Sequence, residues 1–148
     1  MCGICGVIAL DGTLDLPDGT PERMIGVMRH RGPDEFGAWR DERVFLGHAR
    51  LSIIDLAGGQ QPMAGRADHW LTFNGEIFNY VELAEELRAV GHVFRTRCDT
   101  EVILRAYEEW GDACVERFNG QFAFALWDRT RGRLLLARDR YGIRPLYL

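Results

Sequence analysis

Short stretches in which apolar residues alternate with polar ones, or run together for a few positions, predict β-strands. The predicted strands have the residue numbers 4–10, 36–40, 44–50, 70–73, 121–127 and 134–138. Two dipeptides that contain glycine, Asn74-Gly75 and Arg131-Gly132, are typical of tight turns. We therefore expect the fourth strand to end at Asn74 and the last two strands to form a hairpin.

Between these strands, apolar residues three and four positions apart predict helices. Thr20, Asn79 and Asp99 have side chains that often accept hydrogen bonds from the first turn of a helix, and Glu82 completes a capping box with Asn79. We expect helices to begin at these three positions, with the last one spanning 100–110. Short strands that alternate with helices predict an α+β fold in which helices cover antiparallel sheet.

Composition narrows the classes of protein that fit this pattern. The chain has 148 residues, 47% of them hydrophobic and 27% charged, which suits one domain with a core. A net charge of −4 gives no electrostatic footprint for nucleic acid, and no apolar run is long enough to span a membrane. Without a secretory signal, a cytoplasmic location is expected. Residues 144–148 look like the start of another strand, so we expect a longer protein in which residues 1–148 are one domain, truncated at its C-terminus.

All eighteen basic residues are arginine. The absence of lysine excludes a phosphate-binding P-loop lysine and a Schiff-base lysine in this chain. The four cysteines are Cys2, Cys5, Cys98 and Cys114. The terminal C-x-x-C has no second pair of ligands, and the four histidines show no metal spacing, so no metal site is expected. A redox or metal role for the terminal pair stays open as an alternative.

Cys2 becomes the first residue once Met1 is removed, which is expected because the side chain after Met1 is small. The processed residue would carry both a thiol and a free α-amine. A terminal amine is partly neutral near physiological pH and can take a proton from an adjacent thiol. The position therefore predicts an N-terminal nucleophile that supplies its own base. The plainer alternative is that Cys2 is a small buried hydrophobic residue.

Six motifs occur in a fixed order along the chain. They are Met1-Cys2-Gly3-Ile4-Cys5-Gly6, His30-Arg31-Gly32-Pro33-Asp34, Arg50-Leu51-Ser52-Ile53-Ile54-Asp55, Asn74-Gly75-Glu76-Ile77, Asp99-Thr100-Glu101-Val102 and Ala137-Arg138-Asp139. Together they resemble the glutaminase domain of glutamine-dependent asparagine synthetases, a class II glutamine amidotransferase. The resemblance runs nearly end to end. It implies an N-terminal-nucleophile hydrolase fold, a four-layer α/β/β/α sandwich of antiparallel sheets.

The resemblance also implies a reaction, the hydrolysis of glutamine to glutamate and ammonia. Cys2 would attack the carboxamide carbon and form a thioester, with its own α-amine moving the protons. The side-chain amide of Asn74 and the backbone N–H of Gly75 would stabilise the oxyanion. Taken without the resemblance, Asn74-Gly75 is only a turn signal.

Glutamine recognition follows from the same resemblance. Arg50 offers a planar fork to the α-carboxylate, and Asp99 and Glu76 offer acceptors to the α-ammonium. The resemblance further places Leu51, Ser52, Ile53 and Ile54, together with Asn74 and Gly75, against the substrate. On their own, Arg50 could end an exposed strand and Asp99 could be only a helix cap.

Several expectations concern what surrounds this site. The loop 30–34 is expected to be structural with a supporting role, Cys5 to be a packed core thiol, and Cys98 to stand where the family commonly has serine. No cofactor is expected in this chain; ATP and Mg²⁺ would belong to a C-terminal synthetase domain that aminates aspartate. Homodimer formation is left open. Two other functions remain, a glutaminase that serves a different ammonia acceptor and a non-catalytic module that binds glutamine.

Overall fold

The computed structural model describes residues 1–53, 55 and 58–148. The strands are β1 (Gly3–Ile8), β2 (Glu35–Arg40), β3 (Val44–Arg50), β4 (Met63–Ala64), β5 (His69–Ile77), β6 (Gly120–Asp128) and β7 (Arg133–Arg138). The helices are α1 (Thr20–Gly26), α2 (Tyr80–Ala89), α3 (Asp99–Trp110) and α4 (Cys114–Arg117), with a 3₁₀ turn at Gly111–Ala113. Over these residues, no helix combines the length and the apolar character needed to cross a bilayer.

The strands form two antiparallel sheets. The first sheet has the order β1-β3-β2 and the second has the order β4-β5-β6-β7. The hairpin predicted for the last two strands is present as β6 with β7, and β2 with β3 forms a second hairpin. The prediction of an α+β fold with antiparallel sheets is therefore confirmed.

Three apolar clusters separate four layers of secondary structure. Ile25 of α1 packs on Phe45 at the outer face of the first sheet. The two sheets pack on each other through a second cluster, which contains Leu46 and Trp127. The third and largest cluster joins the outer face of the second sheet to α2 and α3. This order of helix, sheet, sheet and helix is the predicted four-layer sandwich.

The period of two along each strand decides which residues enter the layer between the sheets. In β3, Phe45 faces α1 whereas Val44 and Leu46 face the second sheet. The same period puts His48 and Arg50 on the inter-sheet side with Leu46. His48 Nε2 lies 3.1 Å from the Phe73 carbonyl oxygen and donates to it across the two sheets. The inter-sheet layer is therefore apolar at one end and polar at the other.

The strand β5 does not end at Asn74-Gly75, so the predicted turn there is wrong. Pairing with β6 continues to Ile77 opposite Gly120. Gly75 has a φ of 154°, and a Cβ at this position would overlap the backbone of Gln121 and Phe122. The glycine is needed because β6 comes too close for a side chain.

The helix starts also differ in detail from the prediction. Thr20 and Asp99 are the first residues of α1 and α3 instead of their caps. Asn79 does precede α2, but its side chain donates to the Arg117 carbonyl at 3.0 Å and accepts from the Asn119 N–H at 2.9 Å. Polar side chains that could cap a helix are used here to join separate elements. The short elements β4 and α4 were not predicted because they are too short to show a period.

The inter-sheet packing predicts a large cost for Leu46→Ala. Leu46 is 1% exposed, and removing its side chain leaves a cavity between the sheets, so we expect a loss of about 2–5 kcal/mol in the free energy of unfolding. Urea unfolding of both proteins measures the loss. Leu10→Ala is the matched control, because Leu10 is 80% exposed and should change the free energy by less than about 0.5 kcal/mol. Equal effects of the two substitutions would contradict the layer assignment.

Candidate active site

A pocket opens at the polar end of the inter-sheet layer. Residues predicted as site residues that line it are Cys2, Arg50, Leu51, Ile53, Asn74, Gly75, Glu76 and Asp99. Cys2 and Arg50 belong to the first sheet or its edge, and Asn74 and Gly75 belong to the second. The pocket thus depends on how the two sheets are docked.

Cys2 lies just before β1, where Arg31 contacts its backbone and Leu51 contacts its thiol. Arg31 Nε donates to the Cys2 carbonyl at 2.9 Å. The sulfur lies 3.4 Å from the Leu51 N–H and 3.6 Å from the Leu51 carbonyl. Both contacts hold the sulfur against polar backbone groups of Leu51. The position of the thiol suits a nucleophile better than a residue packed only for its apolar surface.

Arg50 lies at the end of β3 and is 4% exposed, so it is not an exposed strand end. Its Nη1 donates to Glu35 Oε2 at 2.8 Å, and its Nη2 donates to the Asp55 carbonyl at 2.8 Å. These contacts fix the guanidinium at the pocket wall. A fixed planar fork is suited to a carboxylate ligand.

One edge of β5 faces the pocket. In an antiparallel strand, the N–H and C=O groups of alternate residues point to the same edge. The carbonyl of His69 accepts from the Gly65 N–H at 2.8 Å, on the side of β4. All odd-numbered residues of β5 therefore direct their backbone groups to this edge, away from β6.

Side chains satisfy two of these edge groups beyond the short strand β4. The Phe73 N–H donates to Gln61 Oε1 at 2.6 Å, and the Ile77 N–H donates to Asp99 Oδ2 at 3.1 Å. Gly75 lies between them. Among the described residues, no loop, turn or side-chain group accepts from its N–H. This N–H therefore points into the pocket as an available donor.

Neither the β6 residue opposite Gly75 nor the neighbouring Asn74 side chain blocks this N–H. Phe122, the partner of Gly75 in the pairing, exchanges its backbone hydrogen bonds with Asp139 instead, at 3.1 and 2.8 Å. Asn74 is 5% exposed and lines the pocket, and no group in the described part of the chain is hydrogen-bonded to its side-chain amide. Two donors from neighbouring residues therefore face the same space, as an oxyanion site requires.

Asp99 presents a carboxylate from the first turn of α3. Burial raises its pKa to about 6, although hydrogen bonds from the Ile77 and Thr100 N–H groups lower it, and the nearby charge of Glu76 raises it further. Two acidic side chains on one wall repel each other when both are ionised. A cation placed between them would relieve this repulsion, which makes the wall suited to an ammonium group.

The loop 30–34 supports the site from outside. Besides the contact of Arg31 with Cys2, Asp34 Oδ2 accepts from the Ser52 N–H at 2.8 Å. The Asp34 N–H donates to the Arg50 carbonyl at 3.0 Å. Ser52 does not line the pocket, because its backbone is turned to Asp34. Ile54, another predicted binding residue, lies outside the described residues.

Residues that line the pocket but were not predicted as site residues include Gln61, Thr100 and Arg144. Gln61 lies in the irregular stretch before β4, where no period signals a role. Arg144 is brought to the pocket by Asp139, which accepts from its N–H at 3.0 Å and bends the chain there. The motif around Asp139 was the available signal for this bend.

Cys5 and His48 have structural surroundings. Burial raises the pKa of the Cys5 thiol to about 11, and Cys5 packs beside the α1 cluster without a disulfide. Burial lowers the pKa of His48 to about 4, and the charge of Arg50 lowers it further, so His48 is a neutral donor to Phe73. The described residues contain no group of three or more His, Cys, Asp or Glu side chains that could hold a metal ion.

Two asparagine synthetases are similar to this chain over nearly its whole length. The chain is 43% identical to asparagine synthetase [glutamine-hydrolyzing] 3 of Bacillus subtilis, over 99% of this chain and 24% of that protein. It is also 43% identical to a putative asparagine synthetase [glutamine-hydrolyzing] of Mycobacterium tuberculosis, over 100% of this chain and 25% of that protein. The chain thus spans about a quarter of the length of these relatives.

Solved structures share the fold at lower identity. Glutamine phosphoribosylpyrophosphate amidotransferase of B. subtilis, complexed with ADP and GMP, matches with a TM-score of 0.58 and 22% identity. The match covers 72% of this chain and 25% of that chain. This likeness confirms the predicted fold of two sheets between helices.

A family model gives the broadest match. The model of the glutamine amidotransferase domain matches residues 1–148. The match covers Cys2, Asn74, Gly75, Glu76 and Asp99 of the pocket. The chain therefore belongs to the family of glutamine amidotransferase domains.

Proposed function

We propose that this chain hydrolyses the side-chain amide of glutamine to glutamate and ammonia, with Cys2 as the nucleophile. One observation carries the proposal. The Cys2 thiol, the Asn74 amide and the Gly75 N–H meet in one pocket at the end of the inter-sheet layer. A nucleophile opposite two backbone or amide donors is the arrangement that acyl transfer requires.

The reaction proceeds in two acyl transfers. Cys2 Sγ attacks the carboxamide carbon, and the oxygen becomes an oxyanion that the Asn74 amide and the Gly75 N–H stabilise. The Cys2 α-amine accepts the thiol proton and passes it to the departing nitrogen, so that ammonia leaves and a γ-glutamyl thioester forms. Water then hydrolyses the thioester to glutamate. The α-amine is a base only after Met1 is removed, because a peptide nitrogen is not basic.

The rest of the pocket recognises free glutamine. The fixed guanidinium of Arg50 receives the α-carboxylate, and Asp99 and Glu76 receive the α-ammonium. The backbone of Leu51 and Ile53 lines the wall between these charged ends. This division of charge selects an amino acid with both groups free.

The names of the relatives suggest the use of the ammonia. Two relatives that match nearly the whole chain are asparagine synthetases, whereas the phosphoribosyl enzyme shares only the fold at 22% identity. We propose that the ammonia serves the amidation of aspartate in a C-terminal synthetase domain that uses ATP and Mg²⁺. A cytoplasmic location, homodimer formation and the absence of a cofactor from this chain stay predictions.

The role of Cys2 is tested by Cys2→Ala and by a blocked N-terminus. We expect Cys2→Ala to lower kcat by about 10⁴-fold or more, because alanine has no thiol to attack the carboxamide carbon. A protein with a cleavable N-terminal extension should hydrolyse glutamine only after cleavage exposes Cys2. Glutamate release and intact mass measure both effects.

Cys5→Ala is the matched control for this experiment and should retain activity. A protein that binds glutamine but releases no glutamate, even with Cys2 exposed, would favour the non-catalytic module. Full activity with Met1 retained would rule out the α-amine as the base.

The oxyanion site is tested by Asn74→Ala. Losing one donor should lower kcat by about 10²–10³-fold, with little change in KM, because the donor acts mainly on the charge of the tetrahedral state. Steady-state kinetics with glutamine measure the change. Asn119→Ala removes an exposed amide and should leave both constants unchanged. A change in KM alone would contradict a role in the oxyanion site.

Asp99→Asn should separate binding from stability. The substitution removes the acceptor charge for the ammonium and should cost about 2–5 kcal/mol of binding, at least about 30-fold in KM. The same change should stabilise the fold at pH 8, because the pKa of Asp99 is raised from 3.8 to about 6 and ionisation is therefore unfavourable in the folded state. The gain should be on the order of 1–3 kcal/mol above pH 6 and should vanish below pH 4.

Urea unfolding at pH 8 and pH 4, together with glutamine kinetics, measures the two effects of Asp99→Asn. Asp18→Asn is the control, because Asp18 is exposed and should show neither effect. Lower stability of Asp99→Asn at pH 8 would show that the carboxylate stabilises the fold, contrary to expectation.

A further inference from the structure

Gln61 connects three parts of the molecule around the oxyanion donors. Its Oε1 accepts from the Phe73 N–H at 2.6 Å, and its Nε2 donates to Thr100 Oγ1 at 3.3 Å. Both Gln61 and Thr100 are buried, at 9% and 3% exposure. The side chain therefore joins the edge of β5 to the first turn of α3, where Asp99 lies.

The backbone of Gln61 is fixed from the opposite side. A Cβ at Gly37 of β2 would overlap the Gln61 carbonyl oxygen, so the two backbones are in direct contact. Gln61 thus spans from the first sheet to the second. A side chain anchored at both ends can hold a strand edge in place.

Phe73 is held by a second side chain as well. Its N–H is bound by Gln61, and its C=O accepts from His48 Nε2 at 3.1 Å. His48 is 1% exposed and comes from β3 of the first sheet. Both backbone groups of Phe73 at the pocket edge are therefore fixed by side chains instead of by a neighbouring strand.

The two residues after Phe73 carry the oxyanion donors. Along β5, Phe73 is followed by the Asn74 amide and the Gly75 N–H, and Asp99 binds the Ile77 N–H beyond them. The donors thus lie on a segment clamped two positions before and two positions after Gly75. Small errors in donor position cost much of the catalytic rate.

We propose that Gln61, with His48, is a positioning residue of the oxyanion site, which fixes Phe73 and so sets the direction of the Asn74 and Gly75 donors. The inference rests on the proposed glutamine hydrolysis. Gln61 itself does not touch the reacting atoms in this role. It acts by holding β5 while its amide links that strand to the helix that bears Asp99.

The test compares glutamine hydrolysis with alkylation of Cys2 in the processed protein. Amide hydrolysis needs the oxyanion donors, whereas iodoacetamide needs only a reactive thiol. For Gln61→Met, which removes the acceptor for Phe73, we expect kcat to fall about 10–100-fold with KM within about threefold. Peptide mass spectrometry should show that Cys2 is alkylated at a rate within about twofold of the original protein.

Gln61→Glu provides the conservative rescue. It keeps an oxygen acceptor for the Phe73 N–H, and Thr100 can donate to the second oxygen, so kcat should recover to within about fivefold of the original value. His48→Phe removes the other hold on Phe73 and should lower kcat in the same way as Gln61→Met. If Gln61→Met does not fold, Gln61→Asn replaces it, because its shorter amide withdraws the acceptor and keeps a polar side chain.

Thr72→Val is the matched control for lost stability. Thr72 Oγ1 donates to the Gly47 carbonyl at 3.3 Å, so this variant also loses one buried hydrogen bond between the sheets. We expect it to lower the urea midpoint while kcat and KM stay unchanged. Unchanged kcat in the Gln61 variant that folds, or an equal loss of Cys2 alkylation, would overturn the inference. If the unaltered, processed protein releases no glutamate, the proposed function fails instead.

Discussion

The structure depends on one requirement, that buried backbone N–H and C=O groups find hydrogen-bond partners. β4 is two residues long, so it covers only the first part of the edge of β5. Beyond it, side chains take over the pairing of Phe73 and Ile77. Gly75 is left between them with an N–H that faces the pocket. The donor that we propose for the oxyanion thus lies where a short neighbouring strand ends and the side chains that replace it leave one N–H unpaired among the described residues.

The ionised acidic side chains of the pocket lower the free energy of unfolding. Asp99 is kept in a buried place where ionisation is unfavourable, and Glu76 adds a like charge beside it. Neither arrangement helps the protein fold. Both suit the proposed binding of the glutamine α-ammonium at this wall. In the free protein, the ionised carboxylates are therefore unfavourable, and the binding of glutamine would offset this free-energy cost.

The sequence predicts much of the fold and of the pocket, and there is a physical reason why it does not predict the rest. The pattern of the last two strands predicts their hairpin, and the period of two in β3 puts Arg50 on the same face as Leu46 and His48. Asn74-Gly75 misleads because the dipeptide that favours a turn also suits a strand with a very close neighbour. No helical or strand periodicity in the sequence marks Gln61, because its proposed role comes from contacts with elements far away in the chain. Cys2 is a candidate because of its place after Met1, whereas Asn74 and Asp99 are candidates only through the motif resemblance, since no local pattern marks their proposed roles.

The pocket takes its parts from both sheets, with Cys2 and Arg50 on one side and Asn74 and Gly75 on the other. In the part of the chain that the structure describes, side chains and apolar packing join the sheets, without backbone pairing between their strands. A slide of one sheet over the other by a fraction of an ångström would leave every strand intact and still separate the thiol from its donors. Heating or pressure that weakens the packing between the sheets should therefore abolish activity while the spectroscopic signal of the β-strands persists.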